Sequence, residues 1–102
     1  MFARNVTLHV KPNQTKEVTA KIDKEILPLL RKATGFRDLI TMSRENDETV
    51  GISLWNTKEQ ADAYSKDTFA QVTKILEPLI TGAPEVRTYE VFGSTSHKVV
   101  AA

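Results

Sequence analysis

From Leu27 to Leu79 the chain reads LPLLRKATGFRDLITMSRENDETVGISLWNTKEQADAYSKDTFAQVTKILEPL. In order this is a helix end, a glycine, a strand, a polar turn, a second strand closing in Trp55, and a helical run. A hairpin held between two helical segments leaves few topologies open, because connections are short and crossovers are right-handed.

The flanks complete the pattern. Residues Ala3 to Val10 alternate, with Val6, Leu8 and Val10 on one face and Asn5, Thr7 and His9 on the other, as in a strand with one apolar face. Lys11-Pro12-Asn13 ends it. A helix starting between Gln14 and Lys16 carries Val18, Ile22, Ile26, Leu29 and Ala33 as one apolar stripe. Pro28 inside that stripe predicts a kink or a restart, and Gly35 a stop. Strands are expected over Phe36 to Arg44 and Thr49 to Asn56, around a solvated turn of Glu45, Asn46, Asp47 and Glu48. In the second of them Val50, Ile52 and Leu54 share a face opposite Gly51, Ser53 and Trp55.

Thr57-Lys58-Glu59-Gln60 has the form of a capping box. The helix it opens is expected to break at Lys66-Asp67, with Asp67 capping a further helix that turns Phe69, Val72, Leu76 and Leu79 inward. Pro78 and Gly82-Ala83-Pro84 close that run, and a last strand is expected over Glu85 to Gly93. The expected organisation is therefore one domain over residues 1–102, with a core at 3–93 and a tail at 94–102.

The order β-α-β-β-α-β predicts an α+β, ferredoxin-like fold: a four-stranded antiparallel sheet with the helices on one face. The other face carries Leu39 or Ile40, Trp55, and Phe92 or Tyr89 in this reading, and is too apolar for water. A second copy packed sheet to sheet is the expected cover.

Composition narrows the chemistry. A formal net charge of +1 with scattered Lys and Arg argues against a nucleic-acid binder. With no cysteine, disulfides, thiolate metal sites and a cysteine nucleophile are excluded. Nothing in the sequence has the length of a membrane span or a signal peptide core, so a cytoplasmic protein is expected.

A Pro28-Leu29-Leu30-Arg31 helix end leading into Gly35-Phe36-Arg37, and a hairpin closing in Trp55, resemble the antibiotic biosynthesis monooxygenase-like domains of the dimeric α+β-barrel superfamily. Thr57-Lys58-Glu59, the run Ala61 to Phe69 and the end Leu76-Glu77-Pro78-Leu79 share in the resemblance, which extends from Asn5 to Phe92. It implies a homodimer of ferredoxin-like subunits, a pocket between sheet and helices, and activities that include cofactor-independent oxygenation of aromatic phenols, quinol oxygenation and haem degradation. Haem-degrading relatives use a first-strand asparagine, to which Asn5 corresponds. They also use a tryptophan where this chain has Ala63 or Tyr64, and a histidine where it has Thr73. Haem degradation is thus disfavoured.

Among the residues themselves, His9 is the one histidine inside a predicted element. Its ordinary pKa near ~6.5 suits a proton acceptor, which a cofactor-free oxygenase needs to turn its substrate into an electron-rich anion. Asn5 and Thr7 share its face and could orient a phenol or carbonyl, while an inert strand histidine is the plainer alternative. Trp55, Tyr64 and Phe69 are candidate pocket walls or core, and Tyr89 a candidate hydrogen-bond donor. The tail residue His97 is given no role. No cofactor and no metal are expected, since His9 has only distant carboxylates for company. The leading expectation is a cofactor-independent monooxygenase of a small aromatic or quinol-type compound. A non-catalytic ligand-binding or stress-associated dimer is the alternative, and an isomerase or dismutase of the same superfamily a third.

Overall fold

The computed structural model describes residues 1–44 and 48–99. The expected turn residues Glu45, Asn46 and Asp47, and the end of the chain from Val100, lie outside them. The elements are β1 (Phe2–His9), α1 (Thr15–Lys21), a π-helical turn (Ile22–Ile26), α2 (Leu27–Lys32), β2 (Phe36–Arg44), β3 (Glu48–Trp55), α3 (Lys58–Asp67), α4 (Phe69–Leu76), a 3₁₀ turn (Glu77–Leu79) and β4 (Glu85–Glu90). The four strands form one antiparallel sheet in the order β2-β3-β1-β4, the ferredoxin-like arrangement. Glu48, expected in the turn, opens β3, and β4 stops at Glu90, short of the expected Gly93.

Alternation sorts the strands into two faces. On the helix-facing side the cross-strand rows are Leu39, Ser53, Arg4 and Thr88, then Thr41, Gly51, Val6 and Val86. The outer face carries Ile40, Ile52, Asn5 and Arg87 in one row and Leu54, Ala3 and Tyr89 in another. Leu8, Val18, Ile26, Leu30, Trp55, Tyr64 and Leu76 are buried together between sheet and helices. Trp55 is therefore core rather than part of the outer face, and Leu39 likewise packs inward; Ile40 and Tyr89 remain outside.

The proline acts one turn early. Pro28 has no N–H to give to the carbonyl four residues back, and its ring crowds that carbonyl. The helix meets this with the wide turn Ile22–Ile26 and restarts at Leu27 with Pro28 in its first turn. That turn also keeps the stripe aligned. Residues four apart drift about 40° per turn of an ordinary helix, and the wider turn absorbs the drift. Val18, Ile26 and Leu30 all stay buried, with Ile22 packed against them, while Leu29 is only partly covered.

At the helix-to-strand junction Gly35 has a φ of +88°. A Cβ there would collide with the Gln60 side chain. Thr57 caps α3 by accepting from the Gln60 N–H at 3.2 Å. The reciprocal half of the box is absent, since the Gln60 side-chain oxygen is buried without a partner. The break between helices falls at Thr68, not Asp67, which is the last residue of α3; Thr68 makes no side-chain cap bond.

Beyond β4 the chain does not dangle. The Val91 N–H donates to the Met1 carbonyl at 2.9 Å, and His97 Nε2 lies 2.9 Å from Asp38 Oδ2. Asp38 sits cross-strand from Leu54, so the tail runs over the outer face from the β4 edge to the β2 edge. Ala3 and Leu54 are buried along that line. Among the described residues no helix is long and apolar enough to cross a membrane.

Candidate functional site

A strand histidine and a helix-facing aromatic cannot meet when they leave the sheet on opposite sides. His9, Asn5, Thr7 and Tyr89 belong to the outer face. His9 Nε2 lies 2.7 Å from Glu85 Oε2 with both side chains largely exposed. Asn5, Thr7, Glu85, Arg87 and Tyr89 border a polar depression of about 210 Å³. Trp55, Tyr64 and Phe69 lie on the other side of the sheet, where their rings follow one another at centroid distances of 4.9 and 6.4 Å. The expected site residues thus form two groups on opposite sides of the sheet.

The helix side holds a cavity of about 50 Å³. Arg4, Gly51 and Ser53 line it from the sheet, and Ile26, Phe69 and Val72 from the helices. On this measure a void of about 150 Å³ is needed for a benzene-sized guest, so the cavity alone holds a few waters or the head of a larger molecule. It is not sealed. Ile22, Leu39 and Thr41 line both the cavity and a groove of about 680 Å³ between α1 and the β2 edge. From that edge inward, the rows Leu39-Ser53-Arg4 and Thr41-Gly51-Val6 form the floor.

Arg4 was not among the expected site residues. It is 2% exposed, and its guanidinium carbon sits 4.5 Å from the Phe69 ring centroid and 5.1 Å from that of Tyr64. Nη2 donates to Ser65 Oγ over a long 3.4 Å. No carboxylate lies within ion-pair distance among the described residues. Burial pushes the guanidinium pKa down, while Tyr64 and Asp62 pull the other way. Two ring contacts of a desolvated cation return about 2 kcal/mol or more each, against a penalty of several kcal/mol for an ion taken out of water. The rings and Ser65 thus hold the cation with no carboxylate among the described residues paired to it.

Tyr64 feels the same burial, which raises its phenol pKa, with the Arg4 charge partly opposing. It is a neutral hydroxyl at physiological pH and not a base. Trp55 is fully buried, edge-on to Phe36 at 5.7 Å, and donates from Nε1 to Ser53 Oγ at 2.9 Å. That bond ties the Ser53 hydroxyl back toward the indole. The sequence did carry a signal for Arg4: it stands two and four residues before Val6 and Leu8, so the strand period places it on their face.

No family model matches the chain, and no curated protein matches it. Solved structures do. The chain is similar to the ActVA-Orf6 monooxygenase of Streptomyces coelicolor, crystallised with nanaomycin D, at a TM-score of 0.78 and 18% identity over 91% of this chain and 88% of that one. It is similar to NE2512, a protein of unknown function from Nitrosomonas europaea, at a TM-score of 0.75 and 18% identity over 99% and 95%. An antibiotic biosynthesis monooxygenase gives a TM-score of 0.69 at 12% identity over 91% and 100%. The chain has the ferredoxin-like fold of the antibiotic biosynthesis monooxygenase domains.

Proposed function

We propose that the protein is a cofactor-independent monooxygenase of a small aromatic or quinol-type compound and works as a homodimer. The observation that carries this reading is the mainly apolar, aromatic-walled cavity between sheet and helices, which shares Ile22, Leu39 and Thr41 with the groove at the β2 edge. The fold it shares with a monooxygenase crystallised with nanaomycin D supports it. A flat ring lying in the groove could pass its edge over Gly51 and Ser53, where the side chains are smallest. Apolar walls suit dissolved oxygen and exclude the water that would quench a reactive anion.

His9 as a base and Asn5 as an orienting amide remain candidates only from the outer face, where a second copy would enclose them. That face supports the dimer: Ile40, Met42 and Tyr89 on its strands are each about half exposed, and Phe92 beyond β4 is 95% exposed. A second reading is a non-catalytic, ligand-binding dimer. It is favoured by one observation: no histidine or carboxylate is among the described residues lining the cavity.

Oxygen uptake with dihydroxynaphthalene, without added flavin or metal, tests the two. Protein-dependent uptake above that of a heat-denatured sample is expected. Binding without any uptake would contradict the monooxygenase reading and support the second.

A further inference from the structure

A glycine in the middle of a central strand usually has a reason. Gly51 pairs with Val6 on one side and Thr41 on the other, and its φ is not in the left-handed region. A Cβ placed on it would meet nothing nearer than Leu39 Cδ1 at 3.9 Å. Neither backbone conformation nor crowding therefore calls for glycine. What its missing side chain leaves is space, on the floor between the β2-edge groove and Arg4. A bare strand position of this kind fits the close approach of a ligand.

Arg4 lies one row over and one strand deeper, beside Ser53. It is a buried cation without a carboxylate partner among the described residues, bordering the cavity that Gly51 opens. Space and a cation with no paired carboxylate meet at one cavity.

We infer that the ligand of this cavity is a small aromatic molecule that presents an ionised oxygen, a phenolate or enolate, to Arg4 after entering across Gly51. The inference rests on the proposed use of this cavity and names the charge state of what it takes. Arg4 then has two tasks. It selects compounds that can ionise, and by favouring the anion it lowers the pKa of the bound hydroxyl. That proton passes to solvent water in the groove, because no histidine or carboxylate among the described residues lines the cavity. Phe69 and Tyr64 keep their places against the guanidinium, and the ligand ring stays in the groove while its oxygen reaches toward Arg4.

The test uses para-nitrophenol and its methyl ether, para-nitroanisole, which differ chiefly in the ability to ionise. Binding is followed by the nitrophenolate absorbance and by competition. The wild-type protein is expected to bind nitrophenolate at least about tenfold tighter than nitroanisole, and to ionise nitrophenol at lower pH than free solution does. Arg4→Met should equalise the two probes, Arg4→Lys should keep part of the preference, and Gly51→Val should lose both by filling the floor. Equal binding of both probes by the wild type, binding of neither, or a preference that survives Arg4→Met would overturn the inference. If Arg4→Met does not fold, Gly51→Val decides, since undiminished nitrophenolate binding by that variant places the anion elsewhere. Preference without oxygen uptake would leave the inference standing and the oxygenase reading fallen. Uptake unchanged in Arg4→Met would do the reverse.

Discussion

Tyr64 joins the core to the cavity, stacked toward Trp55 on one side and Arg4 on the other. Burial raises its phenol pKa above the ordinary value. In the unfolded chain the phenol ionises near ~10, whereas the folded chain resists losing that proton. The stability Tyr64 contributes is thus complete below pH ~10 and is lost as pH rises through the folded-state value. The exposed Lys21, whose pKa is raised chiefly by its hydrogen bond to Glu25, weakens the fold in the same direction at alkaline pH. Tyr64→Phe removes only the tyrosine share. Urea denaturation across the alkaline range should show a shallower fall in stability for the variant. Identical slopes would mean the phenol is not held neutral by the fold. At this scale the sequence was legible in its alternation and less so in its charges. Arg4 between Ala3 and Asn5 reads as a solvated strand start unless the period is carried back from Val6, and Gly51 reads as a weak point in a strand. What neither discloses alone is that they border one cavity, because that depends on the pairing of β1 with β3, strands far apart in sequence.

Among the elements, the strands followed their sequence pattern closely and the helices less so. Period-2 alternation fixes which residues share a face once register is set, and β1 and β3 keep the groupings read from them, while the side of the sheet expected for Trp55 is reversed. The helix before Gly35 was legible as a helix with trouble at Pro28, but the form of the trouble was not. A kink, a restart and a wide turn all relieve the same missing bond. The π-helical turn matters because Ile22 at its start stands where the groove meets the cavity. The outer face has a consequence of its own. Ile40 and Met42 lie half exposed on the β2 edge strand, and a charge among them would be stranded if a second copy covers this face. Ile40→Asp should leave the fold intact and halve the mass measured by light scattering at micromolar concentration. A wild-type protein already monomeric under those conditions would remove the dimer.

For the whole molecule, the sheet divides two possible chemistries. One face offers a histidine, an amide and a hydroxyl beside Glu85 and Arg87, shallow and polar. The other offers a small apolar cavity, a buried cation and a floor of Gly51 and Ser53, reached from the groove at the β2 edge. The β-α-β-β-α-β order was sufficient to give the architecture, since few topologies satisfy it. It gave no depth, so His9 and Trp55 could be read toward one pocket when the structure sends them apart. In the proposed function the ligand takes the helix side. Methyl chemical shifts of the protein titrated with para-nitrophenol test that claim most directly. Shifts concentrated on Ile22, Ile26, Val72 and Leu76 are predicted; shifts confined to Val50, Ile52 and Ile40 would place the ligand on the outer face and contradict it.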